Sequence, residues 1–331
     1  MNKKNIVANL SQNLSKINDI RLVPSKHRDK DSDWSLSFEH EEGKELDTLV
    51  NIFGLRLDKR LENLFASATS GDGNELSRIL TLHSSSLLAF LCFSHINKDC
   101  PIKICDTEYV EVLFEVKNDV IDPSLGKPSN IDVVLLNEDR SEILFLESKF
   151  TEYLNGGRAY LSPERYEKFF NHLLKSRGAT FNFKSSTNVD HPTGKKYCLY
   201  QGNKTKGYLS GIKQAFSHLL GIATGPAQIQ TATNGHYERI FNDVRKITFA
   251  TIVYNCDEKK FDSYSRLYNS VFRKENEDVI KRSMRKVVDQ SNNIDKLTIY
   301  PSLLTYQEIF RDYPLSQKIR DFYNFYQHNH A

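Results

Sequence analysis

The sequence lacks the cysteine patterns, the long apolar segments and the leader that define several protein classes. Its five cysteines are an odd number and no two stand in C-x-x-C spacing, so neither a zinc site nor a disulfide framework is indicated. The longest apolar run, residues 87–93, is far shorter than the roughly 20 residues that span a bilayer. Residues 1–21 contain no apolar core of a secretory signal. These absences predict a cytoplasmic protein with reduced thiols and no membrane partner.

An excess of charge of one sign is also missing. The 45 basic and 42 acidic residues leave a net charge of +3. This value neither requires a nucleic acid partner nor excludes one, because a protein can hold acidic and basic groups on different surfaces. No helix-turn-helix or zinc-finger spacing is present, so no base-reading element is assigned. With 39% hydrophobic and 26% charged residues, the composition is that of an ordinary folded protein.

Hydrophobic periodicity divides the chain into two parts. Residues 1–45 combine a weak amphipathic pattern with a charged stretch, which predicts an N-terminal arm or small subdomain. Residues 46–331 predict one α/β domain with a C-terminal elaboration. That domain opens with apolar residues at helical spacing over residues 46–68, and a second helical pattern covers about residues 75–96.

Three strand patterns come next, and a polar connection of hairpin length joins the last two. They cover residues 110–116, 131–136 and 143–150. The later predicted elements are a helix at 210–220 ended by Gly221, a strand at 247–254, a basic helix at about 279–288 and a short strand at 297–299. This order predicts a central mixed sheet flanked by helices, in the α/β class.

Three charged residues stand in two of these apolar strands. Side chains alternate between the faces of a strand, so Glu147 and Lys149 project from one side while their apolar neighbours face the other. Asp132 begins the strand predicted to pair with theirs. An isolated charge in such surroundings is costly, and a divalent cation is a compensating partner. Mg²⁺ takes oxygen ligands, usually one or two carboxylates together with water and phosphate.

This arrangement of an acid, a hairpin and an acid-x-Lys strand resembles the PD-(D/E)xK nuclease superfamily and, within it, restriction endonucleases. The resemblance implies a restriction-endonuclease-like core in which Asp132 and Glu147 bind Mg²⁺, with Mn²⁺ able to substitute. Lys149 would orient the attacking water or help to deprotonate it. The residue before Asp132 is Ile131 where the superfamily name has Pro. The resemblance covers about residues 71–221.

The acid-x-Lys spacing by itself is common. It also occurs at residues 42–44, 115–117 and 257–259. The first and third lie in polar segments with no apolar strand before them. Glu115 ends a strand, but no acid-bearing strand precedes it in a hairpin. The alternative for Glu147 and Lys149 is a salt-bridged pair on an exposed strand.

Two helices supply further candidates. In the resemblance, a Glu on the first helix completes the metal site, which would be Glu75; the alternative is that Glu75 only stabilises the helix start through the helix dipole. Superfamily members also place a polar residue of the helix after the acid-x-Lys strand near the metal, which would be Gln214. His218 lies one turn beyond Gln214 and has the alternative of a structural role.

Two groups of basic residues are candidate DNA-binding surfaces, since lysine and arginine neutralise phosphates without regard to sequence. The first alternates with tyrosines in a predicted loop, and the second shares one face of a predicted helix. The alternative for both is an ordinary solvated surface. They are Lys195, Lys196, Lys204 and Lys206 in the loop, and Lys281, Arg282, Arg285 and Lys286 on the helix.

The sequence therefore predicts a Mg²⁺-dependent endonuclease that hydrolyses phosphodiester bonds in double-stranded DNA, in restriction or a related defence. A homodimer is expected because cleavage of two strands usually needs two active sites. The alternatives are a repair or junction-resolving nuclease of the same fold, a nuclease acting on RNA, and a non-catalytic DNA-binding protein. Intact Asp132, Glu147 and Lys149 favour an enzyme.

Overall fold

Alternating apolar residues in the middle of the chain form the strands of a central sheet, and amphipathic segments on both sides of them form helices. The structure is a computed structural model. It describes residues 2–17, 20–25, 34–70, 75–117, 130–154, 159–161, 163–178, 181, 183–189, 196–200, 209–224, 228–230, 237–239, 244–288 and 293–325.

The helices fall before, between and after the strands of the sheet. They are α1 (Lys3–Ile17), α2 (Glu45–Phe53), α3 (Lys59–Ala68), α4 (Glu75–Ile79), α5 (Ser85–Phe93), α6 (Pro163–Lys175), α7 (Leu209–Thr224), α8 (Glu258–Phe272), α9 (Lys274–Met284), α10 (Asn293–Lys296), α11 (Tyr306–Ile309) and α12 (Gln317–Tyr323). A 3₁₀ turn at Glu152–Leu154 follows the third strand of the core.

The strands are mostly short, and those of the core are seven or eight residues long. They are β1 (Leu22–Pro24), β2 (Leu36–Phe38), β3 (Ile102–Ile104), β4 (Thr107–Tyr109), β5 (Glu111–Lys117), β6 (Asn130–Leu136), β7 (Glu142–Lys149), β8 (Ala159–Leu161), β9 (Lys184–Val189), β10 (Lys196–Tyr200), β11 (Gln228–Gln230), β12 (Tyr237–Arg239), β13 (Lys246–Val253), β14 (Leu297–Ile299) and β15 (Leu304–Thr305).

The central sheet is mixed, as predicted. Its order is β12-β11-β5-β6-β7-β13-β14, with β15 also pairing with β13. The pairs from β12 to β7 are antiparallel, whereas β13 runs parallel to β7, β14 and β15. The α/β fold with a central mixed sheet flanked by helices is therefore confirmed.

Each face of the sheet packs against its own helices. On the first face, the Phe114 ring lies 5.8 Å from that of Phe90 in α5, and the Ser148 hydroxyl lies 2.8 Å from that of Tyr306 in α11. On the second face, the Phe249 ring lies 6.2 Å from the imidazole of His218 in α7. We call these the α5 face and the α7 face. The alternation of β7 places Glu147 and Lys149 on the α7 face.

Two of the predicted helices are interrupted. The pattern over residues 46–68 forms α2 and α3, separated by Gly54, whose φ of 65° ends α2 in the left-handed conformation that glycine adopts at little cost. The pattern over residues 75–96 forms α4 and α5, and the Ser84 side chain caps the start of α5 by accepting from the Leu87 amide. In both cases a local cap outweighs the helical spacing of the apolar residues.

Two other helix boundaries were predicted wrongly. Helix α7 continues through Gly221, which is buried inside it, and ends at Thr224. The basic helix begins and ends earlier than predicted, because α9 covers Lys274–Met284 and a turn follows at Arg285. A small sheet of order β8-β10-β9 was not predicted. Strand β8 is only three residues long and β9 is polar, so neither shows a clear apolar alternation. No helix in the described ranges is long and apolar enough to cross a membrane.

The N-terminal helix packs on the C-terminal part of the chain. Four apolar residues of α1 are buried in the main core, and the Asn13 amide donates to the Phe322 carbonyl of α12 over 3.0 Å. The division of the chain at residue 45 stays a prediction.

Leu14 tests how much this contact stabilises the protein, because its side chain is only 1% exposed. Leu14→Ala is expected to lower the free energy of unfolding by about 2–5 kcal/mol, since the truncation leaves a cavity between α1 and α12. Urea unfolding measures the change, and Lys16→Ala on the exposed face of α1 is the control. Equal stabilities of the two variants would contradict the docking of α1.

Candidate active site

The predicted acid and acid-x-Lys residues meet where two antiparallel strands separate. The register of β6 with β7 ends at the pair Val133–Leu146, so that Asp132 and Glu147 occupy the next opposed positions. Instead of a backbone pair, an Asp132 carboxylate oxygen accepts a hydrogen bond from the Ser148 amide over 2.6 Å. This hydrogen bond from the Ser148 amide to the side chain replaces a backbone hydrogen bond between β6 and β7, and it holds Asp132 beside Glu147.

Both oxygens of the Glu147 carboxylate face a basic group. The Lys149 ammonium donates to Oε1. On the other side, His218 Nε2 of α7 lies 2.6 Å from Oε2. The side chains of Glu147 and Lys149 are 2% and 6% exposed. The alternative of a salt-bridged pair on an exposed strand is therefore wrong in its exposure, because the pair exists but is buried.

The surroundings of Glu147 keep it ionised. Burial alone would raise its pKa, but the charge of Lys149 and the neighbouring His218 outweigh burial and lower the pKa to about 2. Burial likewise disfavours the charged form of Lys149, while Glu147 and then Asp132 raise the pKa of the ammonium above its ordinary value. Lys149 is therefore a cation at neutral pH.

Asp132 behaves in the opposite way. Burial and then the negative charge of Glu147 raise its pKa well above the ordinary value, although Lys149 acts against them. Two adjacent carboxylates with one ammonium cannot both ionise without cost. The site thus has a deficit of positive charge next to Asp132.

The charged cluster opens into a polar cavity of about 510 Å³. Its walls come from α4, α5, α7 and the three core strands, together with the 3₁₀ turn. The lining residues are Arg78, Ser85, Ser86, Glu115, Asn130, Asp132, Glu147, Lys149, Glu152, Lys213, Gln214, Ser217 and His218.

A close contact between helices brings α7 over this cavity. A Cβ atom at Gly211 would overlap the Tyr264 hydroxyl of α8, so a residue without a side chain is required there. The first turn of α7 therefore packs directly on α8, and Gln214 and His218 follow on the cavity side.

The predicted helix residues have different outcomes. Gln214 lines the cavity, as the resemblance implied. The backbone of Glu75 begins α4, but its side chain lies outside the described residues, so its metal role stays a prediction. The structure places His218 against Glu147, and its alternative as a structural residue stays a prediction.

The predicted DNA-binding groups are only partly described. Lys195, Lys204 and Lys206 lie outside the described residues, and Lys196 is described only as part of β10. In the second group, the Lys281 ammonium is 2.8 Å from Glu277 and Arg285 pairs with Asp295, while Arg282 and Lys286 are exposed. Their contact with DNA stays a prediction.

Sequence reasoning assigned no role to several cavity residues, among them Arg78, Glu152 and Lys213. Glu115 was placed at the end of the first of the three predicted strands, in an acid-x-Lys pattern, and was not assigned to the site. No local signal marks Arg78 or Lys213, because their helices are placed by the tertiary fold.

The chemistry of the donor groups suits Mg²⁺. Asp132 and Glu147 offer adjacent carboxylates beside a polar cavity, and the repulsion between them is relieved by a cation. Within the described part of the chain, no three His, Cys, Asp or Glu side chains converge as ligands of one ion. Water and phosphate would complete the coordination, which is usual for Mg²⁺.

Residues 49–201 match the model of a family described as Restriction Endonuclease associating with ARP. The chain is similar to restriction endonucleases over this segment. The segment contains Asp132, Glu147 and Lys149, so the restriction-endonuclease match covers the charged cluster, and the predicted resemblance to such enzymes is confirmed. No curated protein and no solved structure matches the chain significantly.

The charge balance of this restriction-endonuclease-like site predicts a pH-dependent stability. Because the folded state raises the pKa of Asp132, its contribution to stability is fully present below the ordinary value of 3.8 and is lost as pH rises. Asp132→Asn should not lose stability in this way as pH rises, because the amide does not ionise. In a chelator, the variant is expected to be more stable than wild type at pH 7, because the asparagine side chain carries no charge that burial and Glu147 disfavour.

Denaturant unfolding between pH 4 and 8 measures this difference, which should shrink toward pH 4. The control is Asp262→Asn on the exposed side of α8. Below pH 4.5 both proteins should lose the stability that the depressed pKa of Glu147 provides, progressively down to about pH 2. A destabilised Asp132→Asn protein at pH 7 would show that the carboxylate is not repelled in the folded state.

Proposed function

We propose that this protein is a Mg²⁺-dependent DNA endonuclease of the PD-(D/E)xK type that acts in restriction or a related defence. The observation that carries the proposal is the joint placement of Asp132, Glu147 and Lys149 on paired strands at an open polar cavity. The family match over residues 49–201 supports a nuclease in defence.

Asp132 and Glu147 are the residues that would hold the ion. When bound, Mg²⁺ supplies Lewis-acid polarisation of the phosphoryl oxygen and lowers the pKa of water. Asp132 is held in place by the Ser148 amide, and Glu147 by Lys149 and His218. Two carboxylates fixed by separate contacts need little reorganisation on binding.

Lys149 acts as a cation. Its pKa is raised by Glu147 and Asp132, so at neutral pH the ammonium donates hydrogen bonds and does not accept a proton. We therefore assign to Lys149 the orientation of the attacking water and the stabilisation of negative charge on the phosphate. Gln214 lines the same cavity, and we assign to it the orientation of the same water or of a phosphate oxygen.

The substrate would enter over the rim of the cavity. Arg78 on α4 and Lys213 on α7 line it from two helices and can bind phosphates beside the scissile bond. The lysines at 195, 196, 204 and 206 and the basic group of α9 remain candidates for contacts farther along the duplex. Duplex cleavage favours a homodimer. The family description names an association with ARP, and we propose ARP as a partner of this chain as well.

The first test is cleavage of unmethylated plasmid DNA. Wild type with Mg²⁺ or Mn²⁺ should give discrete fragments, and EDTA should abolish them. Lys149→Ala is expected to lower the rate by about 10²–10³-fold, the range for removal of one donor that stabilises developing negative charge. Glu147→Gln should abolish cleavage, because it weakens both the ion site and the Lys149 contact.

The matched control is Lys103→Ala, an exposed lysine in β3, which pairs with β4 outside the central sheet and does not line the cavity. It should cleave like wild type. Equal rates for Lys149→Ala and wild type would sink the site assignment. DNA binding without cleavage in any metal would favour the non-catalytic alternative, and cleavage of hairpin or RNA substrates alone would favour the other nuclease classes.

The salt dependence of DNA binding tests the path of the substrate. In EDTA, Lys213→Gln is expected to reduce the slope of log affinity against log salt by about 1, the change for one lost phosphate contact. Lys281→Gln should change the slope less, because that ammonium already lies 2.8 Å from Glu277. Fluorescence anisotropy measures both, and the reverse order would place the DNA on α9.

A further inference from the structure

Helix α6 and the segment that follows it contain positive charge without negative charge. Residues 168–189 include Lys168, Lys175, Arg177 and Lys184, and they include no aspartate or glutamate. The chain as a whole has nearly equal numbers of basic and acidic residues, 45 and 42. This segment is therefore locally basic in a chain that is close to neutral.

Part of this charge lies along one face of α6. Lys168, His172 and Lys175 follow one another at helical spacings of four and three residues, which stacks their side chains along the helix. All three are exposed, whereas Phe170 and Leu173 on the opposite face are fully buried. We call Lys168, His172 and Lys175 the α6 stripe.

Aromatic packing fixes the direction in which the stripe faces. The Phe170 ring lies 5.4 Å from that of Phe216 in α7 and 6.4 Å from that of Phe183 beside β9. The Phe169 ring also lies 5.4 Å from Phe216. Because these contacts hold the buried face of α6 against its neighbours, the stripe faces solvent and its lysines need no folding step before they bind a partner.

The stripe has no ion-pair partner within the described residues. Glu167 precedes Lys168, but the positions three and four residues beyond Glu167 hold Phe170 and Asn171, which are not basic. Glu164 stands one turn before Lys168, and its side chain lies outside the described residues.

Helix α9 packs against α6 and contributes three acidic residues to this region. The Glu277 carboxylate lies 2.8 Å from the Lys281 ammonium, and that of Glu275 lies 3.9 Å from Arg273. The third, Asp278, is exposed and forms no ion pair with the stripe. The positive charge of α6 is therefore open to a partner from outside the chain.

The stripe begins next to the candidate active site. The hydroxyl of Tyr166, two residues before Lys168, lies 2.5 Å from that of Ser217 in α7. Ser217 lines the polar cavity, together with Lys213 of the same helix. From Tyr166 to Lys175, α6 rises by about 13 Å, at about 1.5 Å per residue. A polymer bound at the cavity would therefore have the stripe within reach.

We propose that the α6 stripe binds the phosphate backbone of the DNA beyond the cleavage site. This inference deepens the proposed function and rests on it. Lys168 and Lys175 are about 10 Å apart along the helix axis, which corresponds to about three phosphates of one strand at about 3.4 Å each. Lysines neutralise phosphates whatever the base, so the stripe would add affinity without sequence specificity.

The experiment measures the binding of the full-length protein to labelled duplex DNA by fluorescence anisotropy, in EDTA and over a range of salt concentrations. Lys168→Gln/Lys175→Gln is expected to reduce the slope of log affinity against log salt by about 2, about 1 for each lost phosphate contact. The affinity should fall by about the same factor for every duplex sequence, because phosphate contacts do not read bases.

Two further variants separate phosphate binding from a change in net charge or in structure. Lys4→Gln/Lys16→Gln removes the same charge from the exposed face of α1, and it should keep the slope of wild type. Lys168→Arg/Lys175→Arg keeps the charge on α6 and should also keep that slope. An unchanged slope in Lys168→Gln/Lys175→Gln, or an equal reduction in the α1 variant, would overturn the inference.

The proposed function can fail separately from the stripe. A smaller slope in Lys168→Gln/Lys175→Gln, in a protein that cleaves no DNA with any metal, would support the stripe and overturn the catalytic proposal. Cleavage by wild type with no change of slope in the α6 variant would overturn only the stripe. Absence of DNA binding by wild type at low salt would overturn both.

Discussion

The site depends on the burial of Glu147 between Lys149 and His218. A carboxylate that is 2% exposed is tolerable only because a cation and an imidazole stand on either side of it. Removing one partner of such a buried pair typically costs about 3–5 kcal/mol, since the other charge is left without compensation. The contacts of Glu147 with Lys149 and His218 therefore contribute both to the stability of the fold and to the geometry of the site. A shift of strand β7 or of helix α7 would weaken both.

The sheet around this contact explains why the charges can meet at all. Strands β5, β6 and β7 are antiparallel and lie side by side, so that one residue of each falls in the same row on the α7 face. Strand β13 runs parallel to β7 on the other side and continues the row with Thr251 opposite Glu147. The α5 face of the same strands packs against aromatic rings such as Phe90 and Tyr306. The polar cavity therefore lies on the α7 face.

The part of the site that could be predicted from the sequence is local. The two-residue period of a strand was enough to put Glu147 and Lys149 on one side, and the hairpin was enough to bring Asp132 beside them. The position of His218 depends on the rotation of α7 about its axis, and the backbone of Glu115 has a φ of +49° inside β5. Hydrophobic periodicity predicts neither. The ends of helices were missed for a related reason, because the caps at Gly54 and Ser84 act over one or two residues, whereas periodicity averages over a dozen.

Gly211 shows how a residue that takes no part in the chemistry limits the geometry of the site. Because it has no side chain, the Tyr264 hydroxyl fills the space where a methyl group would lie, and α7 seats directly against α8. Any larger residue would push the first turn of α7 away from α8 and would shift Gln214 and His218, which lie on the same helix. The distance between the sheet and α7 at Asp132, Glu147 and Lys149 therefore depends on the absence of a side chain at Gly211.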